Sequence, residues 1–205
     1  MDFVPYPRGI EAAFTGNKYV LKRKLLKLIG GSFLIFDESG QQVLQANQKG
    51  FKLKEDIRLL GGPDHTQELV GIFARKVIDF SSVYDVIDMT TNQKIGALGR
   101  RGWKSLARDE WTVLDAQDRQ IGTMIEDSLA MAILRRVLSY FIGNWIPQNY
   151  DLLINGQRVV DLKQNFNPFN YHLHISFETG PDQFDRRLGL AAGVLLAAIE
   201  GKQRG

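Results

Sequence analysis

Leu188 to Ile199 reads LGLAAGVLLAAI, twelve residues without a charge, set between Arg186-Arg187 and Glu200 and Lys202. Wound as a helix, this stretch is apolar on every face, and such a helix must be buried in protein or in lipid. At about 1.5 Å per residue it is roughly 18 Å long, well short of a ~30 Å hydrocarbon core. Gly189, Gly193 and Ala197 recur every four positions and form a stripe that lets neighbouring backbone approach closely. That stripe also suits pairing of membrane helices, but the short span decides for burial in protein. A central helix is therefore predicted over 186–200, with Asp182 or Asp185 as its cap, and the rest of the chain has to enclose it.

The enclosing material is β-rich. Four times the sequence gives an aromatic-led alternating stretch, a turn signal and a second β-rich stretch: Phe33–Phe36, Asp37-Glu38-Ser39-Gly40, then Val43 and Leu44; Tyr84–Ile87, 88–93, then Ile95; Trp111–Leu114, 115–120, then Ile121; and Tyr150–Ile154, Asn155-Gly156, then Val159 and Val160. Each is predicted to be a hairpin, with Asn-Gly the strongest short signal of the set. Asp37, Asp88 and Asp115 fall at strand ends, where a short carboxylate accepts from the following backbone N–H groups and starts a turn. That work leaves no acid/base pair among them. Further β segments are predicted in 18–28, 50–60, 69–78 and 171–177, for about ten to twelve strands in all. So many strands cannot leave their outer edges open, so closure is expected, with the central helix filling the barrel.

A second helix is predicted from Ser128 or Leu129 to about Trp145, with Asp127 and Ser128 as caps and Pro147 as the stop. Ser128, Ala132, Arg135, Ser139 and Gly143 form its one weakly polar stripe, so its wide apolar remainder lies on the barrel or against a membrane surface. Arg135, Arg136, Tyr140 and Trp145 are residue types that suit a headgroup boundary.

The chain of 205 residues fits a single domain, 1–205, with 1–16 as an N-terminal segment. The formal net charge is +3, a mild excess that suits an anionic partner without choosing one. The absence of cysteine excludes a disulfide framework and a Cys zinc site. The opening MDFVPYPRGIEAAF has acids and prolines where a signal peptide needs a basic start and an unbroken apolar run, so a cytoplasmic protein is expected.

KYVLKRKLLKL with FLIFDESGQQV, then VGIFARKVIDFSSVYDVIDMTTNQKIGALGRRGWKS, WTVLDAQDRQIGTMIED and the apolar helix after DQFDRRLGLAAG together resemble the tubby C-terminal-like superfamily, in its phospholipid scramblase-related and LURP-one-related branch. The resemblance implies a twelve-stranded closed antiparallel barrel around a hydrophobic C-terminal helix. It also implies a non-enzymatic, lipid-interacting protein, linked to binding of anionic phospholipid headgroups or to phospholipid movement and peripheral on the inner face of the membrane. The chain departs from the scramblase pattern in having no Cys-rich segment for palmitoylation and no EF-hand-like acidic loop, the Asp115 and Asp118 pair being only a turn.

Positive charge clusters at Lys18, Lys22, Arg23, Lys24 and Lys27, at Arg75-Lys76, and at Arg100-Arg101 with Lys104. LVGIFARKVI and KIGALGRRGW each run a Gly-containing apolar strand into a basic pair, so the two pairs are expected at similar depths in the wall, together cradling a phosphate. Lys22, Lys24, Arg75, Lys76, Arg100, Arg101 and Lys104 are thus the candidate headgroup-binding residues; the competing reading is that they balance nearby Asp and Glu in solvent. Trp103 beside Arg101 offers a stacking platform for nucleic acid, with nothing else behind it. His172, His174 and Glu178 share one strand face and would suit a metal, but an exposed strand face explains the histidines more simply. Gly96, Gly99 and Gly102 do not form a dinucleotide fingerprint, and no Ser-His-Asp set can be assembled. No catalytic residue, cofactor or metal is expected, and a barrel that binds only a protein partner is the remaining alternative.

Overall fold

Alternation of apolar and polar residues sets the wall. The computed structural model describes residues 11–23, 32–48, 56–75, 82–100, 110–126, 149–165 and 171–203. Its strands are β1 (Lys18–Arg23), β2 (Ser32–Phe36), β3 (Gln42–Gln48), β4 (Asp56–Gly61), β5 (Gln67–Ala74), β6 (Ser82–Asp88), β7 (Gln93–Arg100), β8 (Glu110–Asp115), β9 (Gln120–Glu126), β10 (Asn149–Ile154), β11 (Gln157–Gln164) and β12 (His172–Phe177); one helix, α1 (Arg186–Gln203), follows. Every strand pairs antiparallel with its sequence neighbours, and β1 closes on β12. The barrel is an up-and-down meander with no free edge, as the strand count requires.

The four predicted hairpins are all present, as β2–β3, β6–β7, β8–β9 and β10–β11, and β4–β5 adds a fifth. All five share one device: a register shift close to the turn, as at Val86/Ile87 and Val113/Leu114, and a residue in the left-handed region, Gly40, His65, Asn92, Asp118 or Asn155. A one-residue bulge beside a turn strengthens local twist and helps curl a sheet towards closure. The fifth hairpin escapes the sequence pattern because its first strand, β4, has no leading aromatic.

Inside, α1 is buried on all sides from Arg186 to Ala198. The small-residue stripe lies against β12: a Cβ on Gly193 would stand 2.6 Å from Ile175 Cδ1, and one on Gly189 would collide with Phe177. The helix extends to Gln203, three residues beyond the predicted 200. Among the described residues no helix is long and apolar enough to cross a membrane.

The meander gives the barrel two unlike ends. The five hairpin turns, 15–17 before β1 and the link 178–185 into α1 all gather at one, the turn end. At the other, the connection end, lie the strand termini Arg23, Gln48, Ala74, Arg100, Glu126 and Gln164, from which the remaining connections depart.

Candidate functional site

At the turn end, carboxylates are consumed by the fold. Asp37 Oδ1 accepts from Ser39 N–H at 2.9 Å and Gln41 N–H at 3.0 Å, and Asp115 Oδ1 accepts from Gln117 and Arg119 N–H, both at 2.9 Å. Asp88 Oδ1 accepts from the Thr90 amide at 2.8 Å and its hydroxyl at 2.6 Å. These are the turn roles read from the sequence.

Asp88 has a second role that the sequence reading missed. Its Oδ2 accepts from Arg187 Nη1 at 2.7 Å, with both side chains 1% exposed. Arg187 is also gripped by Asp185, through Nε at 2.9 Å and Nη2 at 2.5 Å, while Asp185 caps α1 through the Arg187 amide at 2.9 Å. Arg186, equally buried, donates to Gly16 O at 3.2 Å, Asn17 Oδ1 at 2.8 Å and Thr179 O at 2.5 Å, and its guanidinium lies 4.2 Å from the Phe177 ring centroid. Read as mere flanks of the helix, these arginines are instead its anchors. A signal was available: Tyr84, Val86 and Asp88 alternate on one face of β6, so Asp88 follows two core residues inward and needs a buried cation.

Among the described residues, the candidate basic residues Lys22, Arg75 and Arg100 do not converge. Lys22 projects from the outer face of β1, its Nζ 4.5 Å from the Phe36 ring centroid. Arg75 is also outside, but in a four-charge network: it donates to Asp85 at 2.8 and 2.6 Å and to Asp118 at 2.5 Å, and Lys94 reaches Asp85 at 3.1 Å and Asp118 at 2.5 Å. Burial works to raise the pKa of Asp85, but its bonds to Arg75 and Lys94 outweigh that and hold it below the usual carboxylate range. Arg100 is on the other face: it opposes Trp111, its guanidinium carbon 5.9 Å from that ring centroid, on the face shared with Leu98 and Gly96. Lys24, Lys76, Arg101 and Lys104 lie outside the described residues, as do Arg135, Arg136, Tyr140, Trp145 and the whole predicted helix 128–145.

Arg75 and Arg100 lie at similar depths, flanking β6 beside Val83 and Ser82, but on opposite faces of the wall, for a simple reason. Each follows its glycine by four residues and so shares that glycine's face, but a Cβ on Gly71 would meet Met89 Sδ at 2.8 Å outside the barrel, whereas one on Gly96 would meet Leu188 Cδ2 at 3.2 Å inside. With a side-chain period of two, a one-residue difference in register reverses the face.

The other candidate groups resolve as follows. His172 is half-buried and His174 exposed on the outer face of β12, but Glu178 is drawn away by Arg158 at 2.7 Å. Among the described residues no set of three potential metal ligands comes together. An open depression of about 360 Å³ is lined by uncharged residues, Gln120 to Thr123, Leu153, Asn155 and Gly156, and so offers no counter-charge to an anion.

The sequences of the two sets of connections differ in charge. The turn-end connections, with the link 178–185, hold Asp37, Glu38, Asp64, Asp118, Glu178, Asp182 and Asp185 against Arg119 alone. The six connections of the other end lie, but for Arg75, Asn165 and Tyr171, outside the described residues; their sequences hold twelve Lys and Arg against four Asp and Glu, interleaved with Phe51, Phe80, Trp103, Tyr140 and Trp145. Compared with known proteins, the chain matches no family model and no curated protein.

Proposed function

We propose that the protein is a non-enzymatic, tubby-like and scramblase-related barrel that docks by its connection end on anionic phospholipid. The observation carrying this reading is the charge division between the two ends: basic and aromatic residues belong to the connections of one end, acids to those of the other. A mildly basic total thus resolves into a polar molecule, which an anionic surface orients basic end first. Each Lys or Arg near such a surface is worth about 1 kcal/mol and loses most of it beyond a Debye length. Aromatic side chains among the cations suit the headgroup boundary. The fold supports the family resemblance carried by the quoted motifs. Arg75 has no part in docking, being held by Asp85 and Asp118.

Flotation with phosphatidylserine-containing and pure phosphatidylcholine vesicles tests the proposal. Recovery should require the anionic lipid, fall steeply between low and high salt, and be lost on joint K24E, K76E, R101E and K104E substitution. Reversing Asp64 and Asp182 to Lys should leave it unchanged. Equal recovery with both lipids, or equal loss on reversing either end, would remove the proposal. Binding of single-stranded oligonucleotide in place of vesicles would favour nucleic acid.

A further inference from the structure

The outer face of the β1–β12 seam carries a group of cations that the fold leaves largely unneutralised. His172 and His174 stand two apart on β12, with Leu173 and Ile175 turned inward, so both imidazoles project from the wall. Lys22 is directly opposite His172 on β1, and Lys163 directly opposite His174 on β11. Opposed side chains on antiparallel strands have Cβ atoms about 4.5–5.5 Å apart, and like charges so placed repel.

The groups facing the histidines can be named. From β1 come Lys18, Val20 and Lys22, from β11 Asp161 and Lys163, and from β12 itself Ser176. The carboxylate of Asp161 takes Lys163 Nζ at 2.7 Å, and Glu178, farther along, is held by Arg158. Among the described residues Lys22 meets the Phe36 ring and no carboxylate. Burial first, then Lys22 and His174, push the His172 pKa below its ordinary value. An anion seated among these side chains would remove the repulsion and accept from an ammonium and two imidazole N–H groups together.

We propose that Lys22, His172 and His174 form a proton-gated site for a phosphate monoester. The proposal rests on the anionic-surface reading for its ligand class, and a monoester headgroup and free phosphate offer the same chemistry. Because the bound anion favours imidazolium, affinity rises as pH falls towards 6. Below about pH 6 a monoester loses its second charge, so the gain is confined to a window between about 6 and 7. A phosphodiester headgroup, which has no second charge to offer, gains less.

Histidine NMR titration of the full chain with inorganic phosphate, alongside flotation with phosphatidate or phosphatidylserine vesicles at pH 6.2 and 7.6, tests this. Phosphate should raise the apparent His172 pKa by about half a pH unit or more, and K22Q should abolish the rise. Phosphatidate recovery should grow, by up to about threefold, from the higher to the lower pH in the native chain and stay flat in H172Q/H174Q. A phosphate effect on His172 without the vesicle gain identifies free phosphate as the ligand; both together identify the headgroup. No change at His172, or an equal change in K22Q, overturns the site. Salt-sensitive phosphatidylserine binding that persists in H172Q/H174Q while His172 ignores phosphate sinks this site but leaves the surface reading standing. Loss of vesicle binding with the His172 rise intact does the reverse.

Discussion

The turn end and the connection end of the barrel are made from the same strands, but they treat charge in opposite ways. At the turn end Asp37, Asp88 and Asp115 are hydrogen-bonded into turns, and Arg187 is driven into the core to meet Asp88 and Asp185, with Arg186 buried beside it on Gly16, Asn17 and Thr179. Towards the connection end, Lys22, His172 and His174 stand on the outer wall without such partners among the described residues. Taking a charge out of water is costly unless it is paired, so a fold that buries Arg186 and Arg187 at one end has committed that end to holding α1 in place. Charges left near solvent carry no such duty and are free to meet something else.

Removing one member of the buried pair is the hardest blow to this contrast. Arg187→Met leaves Asp88 and Asp185 facing each other without their cation, in a place where Arg187 is 1% exposed. A loss of about 3–5 kcal/mol is expected in urea unfolding, the usual cost of breaking a buried pair. A loss below about 1 kcal/mol would mean that the two ends do not differ in this respect.

Packing at the centre gives the next largest effect. Gly193→Leu adds side-chain atoms where a Cβ alone would lie 2.6 Å from Ile175 Cδ1, and overpacking of this kind costs about 1–3 kcal/mol. The exposed Gly156, with nothing within 4 Å of an added Cβ but a φ of +78°, separates crowding from backbone strain: Gly156→Asn should be mild, because Asn tolerates the left-handed region. Both are read as shifts in urea midpoint.

Acid should unfold the two regions' contributions in separate steps. Burial works to raise Asp88, but the Thr90 hydroxyl and amide, Arg187 and the Thr91 amide together hold it below its ordinary value. Asp37 and Asp115 are lowered as well. A carboxylate depressed in the folded state contributes stability above its unfolded pKa, near 3.9, which is lost as pH falls through the folded value. His172 is also depressed, so the stability it confers is present above about 6.5 and lost as pH falls below that. Melting temperature should therefore drop in one small step near pH 6 and a larger one below pH 4. H172Q should flatten only the first and D88N should shrink only the second.

How much of this was legible beforehand follows from where the information sits. The uncharged run 188–199 and the alternation in the hairpins are local patterns, so barrel, helix and four of the five hairpins could be read from the chain. The buried Arg187–Asp88 pair joins residues 99 apart in sequence, and only Asp88 falling in step with Tyr84 and Val86 hints at it. The faces of Arg75 and Arg100 depend on strand register, and two strands with the same motif but registers one residue apart look alike in sequence. A cluster such as Lys22 with His172 exists only because the first and last strands close on each other, and nothing local announces that.

The smallest expected effect is the most discriminating for the basic residues. Arg75 and Arg101 each belong to a basic pair that follows a Gly-containing strand, and by sequence both belong to a phosphate cradle. In the fold, Arg75 has its guanidinium fork on Asp85 and shares Asp118 with Lys94. Arg75→Gln removes one cation from a partly exposed network that keeps Lys94, so stability should change by no more than about 1 kcal/mol. Vesicle recovery should not change, because an anion would have to displace two carboxylates from the same guanidinium. If R75Q weakened flotation as much as R101Q, ion pairing within the wall would not be what separates structural from docking cations, and the division between the two ends would have to be drawn from exposure alone.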